Sequence, residues 1–170
     1  MRLIDYIQQG GPIMYILILL NIVGISILIW RFIVIFEYKK NIQVYVDQIL
    51  DKFKKSTVDD NLKINLVKDE IKQNVIALEY GMGTIKTIAS ISPLLGLLGT
   101  VVGILSSFQV ISEQGLNNPS MFAGGIAMAL LTTVGGLIVA IPHFVGHNYL
   151  NGHLDKLESS MEKAILEKLF

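Results

Sequence analysis

The chain has 170 residues, 52% of them hydrophobic and only 16% charged, with a mean hydropathy of +0.56, which sets it apart from ordinary water-soluble domains. Fourteen basic and fourteen acidic side chains give a formal net charge of zero, so no basic field points to nucleic acid. The absence of cysteine excludes disulfides and thiolate metal centres and leaves the redox compartment open.

The amino terminus, "MRLIDYIQQGGPIMYILILL", carries Arg2 but also Asp5, and its apolar stretch runs on too long for a signal-peptide core, with no small-residue cleavage site at its end. It reads as a retained anchor. The apolar run Ile13 to Phe36 approaches the roughly 20 residues that cross a bilayer core as a helix. Its one charge, Arg31, sits near its end, where a long side chain is expected to snorkel to the interface, with Trp30 and Tyr38 in an interfacial belt. Asn21 inside the run reads as a helix-contact residue or an interface marker.

Beyond this run the pattern becomes amphipathic. Ile42, Val46, Ile49, Leu50 and Phe53 recur at three and four residues, as do Ile64, Val67, Ile71, Val75 and Leu78. Two helices follow, with "KKSTVDDN" as the turn between them. The second is expected to run on towards the next span with a weak point at Tyr80 to Gly83. Both stripes suit packing within the chain; docking of another protein is the alternative.

Two further apolar runs, Ile88 to Ile111 and Met121 to about Phe144, contain no charged residue. A chain of this length lacks the polar helix needed to wrap three such segments in a soluble core, so all three are expected to span a membrane. The loop between the first and second runs holds Lys39, Lys40, Lys52, Lys54, Lys55, Lys63, Lys68, Lys72 and Lys86, whereas the link "SEQGLNNPS" has no basic residue. The loop is therefore expected in the cytoplasm, the amino terminus outside, and the helical tail with Lys156, Lys163 and Lys168 inside.

The glycines of the second span raise a question, because each costs an exposed helix about 1 kcal/mol relative to alanine. Ser92, Gly96, Thr100, Gly103 and Ser107 fall at spacings of four and three, and so do Gly125, Ala129, Thr133, Gly136 and Ala140 on the third span. Such faces let backbones approach where lipid offers no hydrophobic gain for association. They also leave room for a foreign helix or for water, and spacing alone does not separate the two. Thr100 lies mid-way along the second span, and Thr132 and Thr133 mid-way along the third, so antiparallel helices place these hydroxyls at one level. A lone intramembrane threonine bonds its own helix and carries little meaning; two at matching depth on small faces carry more. No span has Asp, Glu, Lys or His near its centre, so a proton relay here needs an acid from a partner.

"SPLLGLLGTVVGILSSF" and "GGIAMALLTTVGGLIVAIPHFVGHN" resemble the second and third spans of the ExbB/TolQ family, which is distantly related to the MotA flagellar stator subunits. The resemblance covers residues 85 to 150 in detail and is closest to ExbB. It implies a homopentamer around the transmembrane helices of a dimeric ExbD- or TolR-like partner, whose intramembrane Asp takes up protons and whose movement is passed to a TonB- or TolA-like protein. Thr100 and Thr133 match the family's pore-facing threonines, with Thr132 beside them as a third pathway hydroxyl. Pro93 and Pro142 match prolines at the cytoplasmic side of each span, and Gly96, Gly99, Gly103, Gly125 and Gly136 are assigned to helix packing. Where many members have Glu, this chain reads Met128, which makes the partner's Asp the more necessary.

The expected architecture is thus an all-α, multi-pass protein of a bacterial inner membrane, in contact with lipid. It comprises a periplasmic segment 1–12, spans at 13–36, 88–111 and 121–144, a cytoplasmic helical loop 37–87, a periplasmic link 112–120 and a cytoplasmic helical tail 145–170. The expected role is a proton-channel motor subunit for TonB-dependent transport, with ExbB preferred because the chain is short. A TolQ-like envelope-maintenance subunit and a passive oligomeric scaffold are the alternatives. His143 and His147, one turn apart, suit a metal pair less well than an interfacial position. No catalytic constellation or phosphate loop is recognisable, since "GMGTIK" lacks P-loop spacing. No enzyme activity, cofactor, metal or nucleic-acid partner is expected.

Overall fold

A computed structural model describes residues 3–54, 60–115 and 119–169. The turn expected at "KKSTVDDN" and the middle of the link "SEQGLNNPS" fall largely outside the described residues. Among the described residues there are only helices: α1 (Leu3–Gln9), α2 (Gly11–Lys40), α3 (Ile42–Lys54), α4 (Asp60–Glu79), α5 (Met82–Gln114) and α6 (Pro119–Leu169). Three of them, α2, α5 and α6, are long and apolar enough to cross a membrane. The chain is an all-α membrane protein.

The breaks between helices have local causes. The Gly10 amide closes α1 on the Tyr6 carbonyl at 3.0 Å. Gly11, at φ 66°, takes a conformation that a β-carbon disfavours, and Pro12 then opens α2, where a missing N–H has no cost. The short helix α1 lies in the segment 1–12, expected in the periplasm; Tyr6 and Ile7 give it an anchor, since both line one groove with Met14 and Ile18 of α2 and Leu131 and Val134 of α6. Gly81, at φ 84°, ends α4 after Glu79 and separates it from α5 within the stretch read as a weak point. Gly115, at φ 74°, returns its amide to the Ile111 carbonyl at 2.8 Å and ends α5.

The residues form two compact units. One comprises Met1–Ile27 and Thr84–Gly146. Its core joins Ile13 and Leu17 of α2 to Ile88 of α5 and Val139 of α6, with Leu20 and Leu95 against them. Its outward residues are strongly apolar: Leu94, Leu97, Val101, Leu105, Leu130 and Ile138 are all exposed. A surface of this kind suits lipid or neighbouring subunits rather than water.

The other unit comprises Leu28–Gly83 and His147–Phe170. The stripes of α3 and α4 turn inward, burying Val46, Ile49, Leu50, Val67, Ile71, Val75 and Leu78, and the two helices pack together. The end of α6 adds Leu150, Leu154, Leu157, Met161 and Ile165, all 3% exposed or less. Ion pairs at the rim, Lys52 with Glu70 at 2.5 Å and Lys168 with Asp47 at 2.6 Å, each include an exposed lysine and contribute little.

Two interfacial expectations are corrected here. Arg31 does not reach outward but is buried at 6% exposure, its guanidinium 5.0 Å from the Trp30 ring and 5.4 Å from the Tyr80 ring. Aromatic faces attract a cation that has left water. Tyr38 is likewise buried, stacked on Tyr45 with ring centroids 3.8 Å apart, so only the exposed Trp30 remains where a belt residue is expected.

Candidate functional site

Small residues on α5 and α6 meet each other directly. A methyl group at Gly96 would lie 2.8 Å from the Thr132 carbonyl oxygen and 3.1 Å from Thr133 Cα. At Gly103 it would lie 2.5 Å from the Gly125 carbonyl oxygen, and at Gly136 2.5 Å from the Ser92 carbonyl oxygen. These are backbone atoms that cannot swing away, so the glycines set the separation of the two helices. Ser107 Oγ donates to the Phe122 carbonyl at 2.9 Å or to Gly103 in its own helix at 3.1 Å. Ser92 Oγ is satisfied within α5 by the Ile88 carbonyl at 2.7 Å. The room left by missing side chains is filled within this chain by the partner backbone.

At the middle of this seam the close approach brings Thr100 and Thr133 together, with their Oγ1 atoms 2.5 Å apart. Each hydroxyl also reaches two carbonyls: Thr100 those of Ala129 at 3.2 Å and Gly96 at 3.3 Å, and Thr133 those of Ala129 at 3.3 Å and Gly96 at 3.4 Å. Each hydroxyl proton therefore has the other hydroxyl oxygen and two backbone carbonyls as acceptors. One threonine donates to its neighbour while the neighbour donates to a carbonyl, and turning both hydroxyls reverses the direction without breaking the set. Both residues are half-buried, so the pair keeps an opening through which a further donor or acceptor can reach it.

Thr132 is placed differently. It is fully buried, donates within α6 to the Met128 carbonyl at 2.9 Å or that of Ala129 at 3.0 Å, and packs into the notch at Gly99, where a β-carbon would overlap its side chain. The neighbouring threonines thus separate: Thr133 joins Thr100 and Thr132 locks the helices. Pro93 is half-buried within α5 and Pro142 exposed within α6. Each lacks the amide that its helix would give to the carbonyl four residues back. Met128 turns towards α2, its Cε 3.0 Å from the position of a methyl at Gly11. Asn21, half-buried, lines the groove with Leu131 and Gly135.

Sequence reasoning missed His143. The ring is not interfacial but fully buried, with Nδ1 donating to the Val139 carbonyl at 2.6 Å and Nε2 unpartnered among the described residues. It fills the notch left by Gly24 of α2, where a β-carbon would overlap Nε2. An unexplained glycine inside the first span was the available signal. Among the described residues no three metal-ligating side chains gather, and His147 has its Nδ1 3.4 Å from Asn148 Oδ1.

The family model described as the MotA/TolQ/ExbB proton channel family matches residues 39–163. The chain belongs to this family. Among similar proteins of the MotA/TolQ/ExbB family is the biopolymer transport protein ExbB of Aquifex aeolicus, 50% identical over 66 residues, 39% of this chain and 45% of that protein. A putative biopolymer transport protein ExbB homolog of Methanothermobacter thermautotrophicus is 43% identical over 75 residues, covering 44% of this chain and 26% of its own length. The biopolymer transport protein exbB1 of Vibrio cholerae is 36% identical over 86 residues, 50% of this chain and 38% of that protein. The chain therefore spans less than half the length of each of these relatives.

Proposed function

We propose that this protein is a proton-channel subunit of a membrane motor in the bacterial inner membrane, with its amino terminus in the periplasm and its tail in the cytoplasm. The observation that carries the reading is the Thr100 and Thr133 hydroxyl pair, 2.5 Å apart in a seam without charged side chains. An isolated carboxylate among apolar groups is held neutral by desolvation. Brought beside this pair it meets two hydroxyls that accept and donate in turn, so it takes up and releases a proton at lower cost.

The acid is supplied by an ExbD-like, single-span partner with an intramembrane Asp, and copies of this chain, five in the family arrangement, surround it. A TonB-like protein carries the resulting movement to transport across the outer membrane. The names of the relatives, biopolymer transport proteins of the ExbB type, support this assignment over a TolQ-like one. Thr100 and Thr133 serve the proton, while Thr132 and the seam glycines position them. The chain acts as a channel subunit and not as an enzyme.

The test is proton flux into liposomes holding the purified chain with and without its co-expressed partner. Flux that requires the partner and falls in Thr133→Val supports the reading. Absence of flux above background with the partner present leaves only a passive scaffold, and flux unaffected by both valine substitutions removes the threonine pair from the pathway.

A further inference from the structure

We propose that a basic cavity between the end of α2 and residues 153–160 of α6 holds the phosphate of an anionic phospholipid headgroup. The cavity has a volume of 480 Å³ and is lined by Lys39, His153, Lys156, Ser159 and Ser160 over an apolar floor that includes the buried Leu157. That volume falls within the range of about 300 to 1,000 Å³ typical of small-ligand sites. No carboxylate lines it, and neither lysine is paired with one among the described residues. Two ammonium groups from different helices thus face one concavity without a counter-ion.

The remaining polar groups divide between structure and ligand. Ser160 Oγ donates to the Lys156 carbonyl at 2.7 Å, which fixes it to the helix. Ser159 is exposed, and its hydroxyl offers a donor for a phosphate oxygen. His153 Nδ1 lies 3.1 Å from the Tyr149 carbonyl, an acceptor, so Nδ1 carries the proton and Nε2 is left for a headgroup hydroxyl.

A second, independent observation sets the level of the cavity. His153 stacks on Phe36 with ring centroids 5.6 Å apart and lies 4.5 Å from Tyr149, which in turn stacks on Phe32 at 6.4 Å. Phe32 and Tyr149 are exposed, at 40% and 50%. A run of rings leading from apolar helix into a cationic cavity suits the bilayer boundary, where aromatic side chains concentrate and basic pockets bind lipid headgroups. The site needs only that α2 and α6 span the membrane and does not depend on proton conduction.

The test uses the full chain, delipidated in detergent, with native mass spectrometry after addition of phosphatidylglycerol, phosphatidylcholine or inorganic phosphate. Phosphatidylglycerol is expected to be retained in preference to phosphatidylcholine, and Lys39→Gln or Lys156→Gln each to weaken retention about fivefold. Lys40→Gln, which removes the same charge at a neighbouring residue outside the cavity, should leave it unchanged, with helicity and elution of all three variants as in the parent. Equal weakening by Lys40→Gln would reduce the effect to diffuse charge and overturn the proposal. So would the lack of preference for phosphatidylglycerol, or inorganic phosphate held as tightly as the lipid.

Discussion

Thr100 on α5 and Thr133 on α6 are 33 residues apart in sequence, and their hydroxyl oxygens lie 2.5 Å apart. Neither helix produces this contact alone. It exists because Gly96 and Gly136 bring the backbones so close that a methyl at Gly136 would stand 3.1 Å from Gly96 Cα.

Removing either hydroxyl should leave the helices assembled and slow proton-driven function. Thr133→Val keeps the shape and loses one hydrogen bond, worth about 1 to 1.5 kcal/mol, which corresponds to about a tenfold drop in rate. Thr100→Val should act similarly, and serine at either position should retain most of the flux. Proton flux and energy-dependent uptake in the reconstituted complex measure this, and full activity of both valine variants would leave the pair a packing contact only.

Adjacent glycines on α6 should respond oppositely to alanine. Gly125→Ala places a methyl against Ser107 and 2.5 Å from the Gly103 carbonyl oxygen, and should destabilise by about 1 to 3 kcal/mol. A methyl at Gly124 meets nothing within 4 Å, so Gly124→Ala should be neutral or stabilise by up to about 1 kcal/mol through helix propensity. Thermal unfolding in one detergent compares the two, and equal effects would refute the seam.

Gly24 and His143 should be energetically coupled. Gly24→Ala alone overpacks the notch that the ring occupies, at about 1 to 3 kcal/mol. His143→Ala empties it, and in the double variant the alanine at Gly24 enters the vacated space. A double-mutant cycle should give a coupling energy of about 0.5 to 3 kcal/mol. Strict additivity would place the two residues apart.

Orientation is open to direct labelling. Cysteines introduced at the exposed positions Gln114 and Lys68 should react with impermeant thiol reagents from opposite faces of the membrane. Reaction of both from one face contradicts three spans.

Much of this architecture was legible in the sequence because bilayer thickness and helical period constrain it directly. Runs of about 20 apolar residues become helices, since lipid offers no alternative partner for backbone amides. The stripe from Val46 to Leu50 and that from Val67 to Leu78 are buried because residues three and four apart share a helix face. The sets Gly96, Thr100, Gly103 and Gly125, Ala129, Thr133, Gly136 could be read as faces for the same reason. What they faced was decided only by the tertiary structure. Successive residues on a helix point about 100° apart, so the rotation of α6 against α5 determines that Thr133 meets Thr100 while Thr132 fills the notch at Gly99. The same rotation closes Gly125 against a backbone and leaves Gly124 open. Burial of Arg31, Tyr38 and His143 was hidden likewise, because composition records that a residue is polar or aromatic, whereas the Tyr80 ring, the Tyr45 ring and the notch at Gly24 that help receive them lie on other segments of the chain.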